Sequence, residues 1–294
     1  MRTLTKQRRL IAAAAALAMV ATACGGDDNG DDGEAEDGGD AETSAPAEEA
    51  EFEEGSTMAA IQESGTLRVG VKYDQPLFGV NTPDGVEGFD AEIARLIAEG
   101  IWGEGGADNI EFSEAVSAAR EDVLQQDQVD MVIATYTIND ERKELVGFAG
   151  PYYQAGQDIM VEEGNPEGIE GIDDLNEQPV CSVEGSTSID NLREMAPDAE
   201  VVALDTYSAC AEELAQGNVT AVTTDNVILI GLIDERGEGE LVDNPFTEEP
   251  YGIGVQLEAD DLRDWINDRL EEIYDSGEWA AAWENTAAAH SPES

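Results

Sequence analysis

Short apolar runs alternate along the chain with stretches in which apolar residues recur every three or four positions. Leu67 to Val71, Val129 to Ala134, Asp158 to Val161, Val180 to Val183, Val201 to Leu204, Ala221 to Thr224 and Tyr251 to Val255 read as strands. Between them, Phe89, Ile93, Leu96, Ile97 and Ile101 share one helical face, and a further helix opens at Asp140. Leu262, Trp265, Ile266, Leu270 and Ile273 mark a late amphipathic helix, and a last one holds Trp279 and Trp283, whose aromatics read as core. Strands alternating with helices predict βαβ units and an α/β protein with mainly parallel sheets. Because the alternation restarts around Asp158, two α/β lobes are the simplest arrangement.

The N-terminus departs from this pattern. Arg2, Lys6, Arg8 and Arg9 precede an apolar run from Leu10 to Ala21 and the small residues Thr22 and Ala23, the order of a secretory signal in residues 1–23. The run is too short to span a bilayer. Cys24, followed by two glycines, fits a bacterial lipobox, although Ala21 stands where leucine is usual. These residues predict an extracytoplasmic protein tied by an acylated Cys24 to the outer face of the cytoplasmic membrane. Between Gly25 and Gly55 there are fourteen acidic residues and no basic one, so residues 24–55 read as a solvated tether too polar to bury a core. The globular part begins near Ser56.

A formal net charge of −53 excludes nucleic acid as a partner and leaves the lipid anchor as the only contact expected with a membrane. Such a surface suits a saline exterior, where a Debye length of roughly 3 Å at 1 M salt screens its self-repulsion. Cys181 and Cys210 form an even pair in an exported domain, which favours a disulfide over two buried thiols. The one histidine, His290, lies in a polar terminus, so a serine or cysteine nucleophile lacks its usual base. There is no phosphate-binding glycine motif, and no cofactor or metal is expected. A monomer without catalytic activity is the expectation.

One segment carries recognisable binding chemistry. Ala134-Thr135-Tyr136-Thr137-Ile138-Asn139-Asp140-Glu141-Arg142 runs from the end of a strand into a helix, the edge where ligands of α/β sheets gather. Asp140 is suited to cap that helix, and Thr137 and the first amides to face an anion. Arg142 offers a fork for a carboxylate, with a surface ion pair as the alternative. Glu184-Gly185-Ser186-Thr187-Ser188 repeats the strand-to-helix handover, as an anion site or an ordinary N-cap. Asp225, at the end of another strand, could accept an ammonium group or cap the next helix.

Taken in order with Gly65-Thr66-Leu67-Arg68-Val69-Gly70-Val71, Gly88-Phe89-Asp90 and Phe148-Ala149-Gly150-Pro151-Tyr152-Tyr153, these segments resemble the polar amino-acid-binding solute-binding proteins of ABC importers, and most of all their glutamate-binding actinobacterial branch. The resemblance implies a type II periplasmic-binding-protein fold of two lobes joined by two crossover strands. Lobe one would hold residues 56–154 and 250–294, and lobe two residues 155–249. It further implies that Arg142 and Thr137, with Thr135 beside them, hold a ligand's α-carboxylate together with the Ser186 and Thr187 amides, and that Asp225 takes the α-ammonium. Tyr73 or Phe78 would lie over the aliphatic part. Arg120 stands where acidic-amino-acid binders carry an arginine, and Lys72 lies in the first-strand loop; either could read a distal carboxylate, or form a surface ion pair. The implied ligand is a free amino acid, glutamate before aspartate or glutamine, passed to an ABC permease. An exported dehydratase-like enzyme on the same scaffold is the rival reading.

Overall fold

The computed structural model describes residues 50–288. The expected signal segment, Cys24, most of the acidic stretch and His290 lie outside the described residues. The expected strands form two five-stranded sheets. In the first, Leu67–Val71 pairs in parallel with Ile110–Glu114 and Met131–Val132, and Glu249–Val255 pairs antiparallel with Met131–Val132 and Gly147–Ala155. In the second, Pro179–Val183 pairs in parallel with Glu200–Leu204 and Ala221–Asp225, while Gln157–Val161 runs antiparallel to Ala221–Asp225 and to Glu240–Leu241. The sheets are therefore mixed, which corrects the expectation of mainly parallel pairing. The physical reason lies in the crossings: Gln157–Val161 and Glu249–Val255 each enter a sheet from the other lobe, opposite in direction to strands that end at the cleft.

Two crossings join the lobes, at Ala155-Gly156-Gln157 and just before Glu249, and they lie side by side because Glu249 pairs with Ala155. Helix Phe89–Trp102 lays Phe89, Ile93, Ile97 and Ile101 against the first sheet, as its periodicity requires. Helices Asp260–Ser276 and Glu278–Thr286 return to the same lobe. Thr187–Met195, Tyr207–Ala215 and Asn226–Arg236 serve the second sheet. The region after the first strand is a small antiparallel sheet of Asp74–Gln75, Gly79–Thr82 and Gly85–Glu87, which the apolar pattern does not reveal. The helix at Asp140 is a single turn, Asp140–Lys143, and its cap is Asn139, whose side chain accepts the Arg142 amide at 2.8 Å; Asp140 is not the cap.

The last residues of the acidic stretch dock on lobe one. Phe52 meets the Trp265 ring edge-on at 5.7 Å, and Gln62 donates to the Ala50 carbonyl at 2.7 Å. The solvated stretch expected to reach residue 55 therefore ends earlier, because a phenylalanine within it finds an apolar partner.

Cys181 and Cys210 are disulfide-bonded, tying strand Pro179–Val183 to helix Tyr207–Ala215 across 29 residues of chain. A loop of that length implies about 3 to 4 kcal/mol of stabilisation on the chain-entropy account. Urea unfolding of the reduced protein should show a loss of this order relative to the oxidised form.

Candidate functional site

The parallel strands of both sheets point their carboxyl ends at one cleft, which closes on a narrow cavity of about 10 Å³. Its lining comprises Ser117, Arg120, Thr135, Thr137 and Arg142 from one side and Ser186, Thr187, Ser188, Tyr207, Thr224, Asp225 and Ile228 from the other. Seven of the ten expected ligand-binding residues thus converge there. Ser117, Ser188, Tyr207, Thr224 and Ile228 were not anticipated.

Both arginines are held in place by main-chain carbonyls. Arg142 donates to the carbonyls of Thr137 at 2.7 Å and Gly185 at 3.0 Å, and its Nε lies 3.4 Å from a Glu121 oxygen. Arg120 donates to the carbonyls of Ser117, Ala134, Thr135 and Gly185 at 3.1 to 3.3 Å. The Gly185 carbonyl thus receives both arginines across the lobe boundary. Gly185 has φ +76°, and a Cβ there would lie 2.6 Å from the Ala118 Cα, so only glycine permits this approach. Burial, and after it Arg142, lowers the Arg120 guanidinium to about 10.

Opposite the arginines, one oxygen of Asp225 accepts the Tyr251 hydroxyl at 2.6 Å, while Oδ1 is buried without a hydrogen-bond partner. Burial first, then the neighbouring Glu249, raises its carboxyl to about 7. The Tyr207 hydroxyl, among those of Ser186, Ser188 and Thr224, is likewise left without a partner of good geometry. Buried polar atoms are costly unless satisfied, and both face the cavity that a polar ligand would fill.

Thr135 takes φ +43°, a strained conformation for a β-branched residue. Buried Asp90 accepts its amide at 2.9 Å and Gln75 accepts its hydroxyl at 2.8 Å, so the strain is held from both ends. The result is that two successive carbonyls, those of Ala134 and Thr135, face Arg120. Asp90 also takes the Tyr152 hydroxyl, and burial raises its carboxyl to about 7.

Lys72 stands just behind the lining, donating to Ser117 Oγ at 2.8 Å. Burial, and next the repulsion of Arg120, lowers its ammonium to about 7. Neither proposed stacking residue reaches the cavity. Tyr73 points the other way from Lys72 and donates to the Phe112 carbonyl at 3.2 Å. Phe78 is wholly buried among Phe89, Tyr153, Tyr251 and Trp283 and serves the core. Tyr207 and Ile228 supply the apolar lining instead. A further correction concerns Ser186: its hydroxyl caps the helix by accepting the Ile189 amide, and its own amide donates to the Val183 carbonyl at 3.2 Å. The lobe-two amide offered to an anion is accordingly that of Thr187, the first residue of the helix.

Comparison with known proteins agrees with this geometry. Residues 67–285 match the model of the bacterial extracellular solute-binding proteins, family 3. A glutamate-binding protein of Corynebacterium glutamicum is 37% identical over 286 residues, covering 94% of this chain and 88% of that one. The glutamine-binding protein of a Bacillus subtilis ABC transporter is 38% identical over 226 residues, covering 76% and 81%. Among solved structures, a solute receptor for L-cysteine of Neisseria gonorrhoeae superposes with a TM-score of 0.75 at 29% identity, over 80% of this chain and 95% of that one.

Proposed function

Because the chain belongs to the bacterial extracellular solute-binding proteins of family 3, we propose that it captures glutamate outside the cytoplasmic membrane, under an acylated Cys24, and hands it to an ABC permease. The observation that carries this reading is the charge set of the cavity lining: two guanidinium groups against one carboxylate. Glutamate presents the inverse, two carboxylates and one ammonium. Arg142, Thr137 and the Thr187 amide suit the α-carboxylate, Asp225 with its unpartnered oxygen suits the α-ammonium, and Arg120 with Lys72 suits the distal carboxylate. A ligand bonded from both sides favours the closed arrangement of the lobes, which a permease could read. No acid or base in the cavity is needed for capture, and the relatives named above are binding proteins.

Calorimetric titration with the twenty amino acids across pH tests the assignment. Asp225 binds ammonium as a carboxylate, so below pH 7 its proton must be expelled and affinity falls, by up to about tenfold per pH unit. Lys72, behind Ser117, favours a carboxylate in the cavity through its charge as an ammonium, so above pH 7 it must take up a proton when glutamate binds. Glutamate affinity should therefore peak near pH 7, whereas glutamine, with a neutral side chain, should lose affinity only on the acid side. Tighter binding of glutamine at pH 7 would overturn the choice of ligand.

A further inference from the structure

Tyr136 sits between two residues of the cavity wall, Thr135 and Thr137, yet its own side chain points behind them and is wholly buried. Its ring lies under both guanidinium groups: the Arg120 Cζ is 4.3 Å and the Arg142 Cζ 4.9 Å from the ring centroid. Two cations in one buried cavity repel each other, and the Gly185 carbonyl they share offsets only part of that repulsion. The negative face of an aromatic ring attracts both. The phenol adds a second link: its hydroxyl donates to Glu121 Oε1 at 2.6 Å, and the same oxygen stands 3.4 Å from Arg142 Nε.

The ring has no room to move away. Phe148 meets it edge-on at 4.8 Å, and a Cβ at Gly254 would lie 2.9 Å from a ring carbon. Gly254 is thus the glycine that admits this ring, and the strand carrying it belongs to the first sheet.

We propose that Tyr136 is a positioning residue that clamps Arg120 and Arg142 side by side, so that the cavity presents a paired cation to the carboxylates of its ligand. The inference rests on the reading of these two arginines as the carboxylate-binding groups, and it adds a residue that touches no ligand. Without the ring, the pair loses the attraction that offsets its repulsion and strains the Gly185 carbonyl it shares, and the group reading the distal carboxylate loses its register first. Glutamate should then suffer more than glutamine.

The experiment titrates glutamate and glutamine into the folded full-length protein and into Tyr136→Phe, Tyr136→Leu and Arg142→Ala. Tyr136→Phe keeps the ring face and should bind glutamate within about threefold of the parent. Tyr136→Leu should lose roughly ten- to a hundredfold for glutamate and less for glutamine, a change of ratio that mere loosening of the fold does not produce. A folded Tyr136→Leu protein with parental glutamate affinity, beside an Arg142→Ala protein that has lost it, overturns the clamp and leaves the site reading intact. Parental affinity in Arg142→Ala overturns both. Should the leucine variant not fold, the parent protein still decides: the side-chain δ and ε protons of Arg120 and Arg142 should show ring-current upfield shifts that persist in Tyr136→Phe. Ordinary shifts for these protons overturn the clamp.

Discussion

Arg142→Ala should leave a folded protein that binds glutamate roughly 100- to 5,000-fold more weakly than its parent. The side chain is buried, and its guanidinium bonds one carbonyl of its own lobe and one of the other. Removing it strips a desolvated carboxylate of its charged partner, a loss of about 3 to 5 kcal/mol where one member of a buried pair is deleted. The fold should survive, because Asp140–Lys143 is a single turn at the cleft edge and no sheet strand depends on this side chain. Asn139 would still cap the turn through the backbone amide of residue 142. Calorimetry together with an unchanged circular dichroism spectrum checks the expectation, and undiminished binding would place the carboxylate site elsewhere.

Gly185→Ala should block closure of the lobes. The new methyl group would meet main chain, the Ala118 Cα at 2.6 Å and N at 2.8 Å, which cannot swing aside as a side chain could. A left-handed φ adds about 1 to 2 kcal/mol for any residue with a Cβ. Relieving the clash requires the lobes to part, and parting breaks both arginine bonds to the Gly185 carbonyl, each a charged hydrogen bond worth about 1.5 to 3 kcal/mol. Binding should fall by about a hundredfold or more, with lobe two still folded. Small-angle scattering at saturating glutamate should show a more extended particle than the parent, and equal compactness would contradict this account.

Much of the architecture is legible in the residues alone. Leu67–Val71 and helix Phe89–Trp102 have the bounds their apolar spacing implies, and the strand ending at Asp225 differs by one residue. Seven residues of the cavity lining were legible because strand-to-helix handovers with hydroxyls, an arginine or an aspartate have a local signature. Tyr207 has none: it opens an unexceptional helix, and only the packing of one lobe against the other brings it into the cavity. Tyr136 carries no such signature, since its relation to two arginines exists only in three dimensions. Asn139 and Asp140 are neighbouring residues of equal capping propensity, so the choice between them belongs to backbone geometry. Tyr73 and Phe78 were misplaced because an aromatic residue in a loop gives no sign of which side it faces.

Lys72, behind the cavity, and Asp74, two residues on, share one short connection after the first strand. Asp74 reaches across to the other lobe and accepts the amides of Tyr207 and Ser208, at 2.9 and 3.4 Å, where the dipole of helix Tyr207–Ala215 favours a negative charge. The Lys72 ammonium behind the cavity and the Asp74 contact between the lobes are therefore carried on one short piece of chain. A ligand side chain that displaced Lys72 would draw on Asp74 as well, so a poorly matched ligand would be penalised twice, in how firmly it is held and in how long the lobes stay shut. A permease that engages only the latched form would then deliver its cargo with sharper discrimination than equilibrium affinities reveal, and near-cognate amino acids would act as competitive blockers more than as passengers.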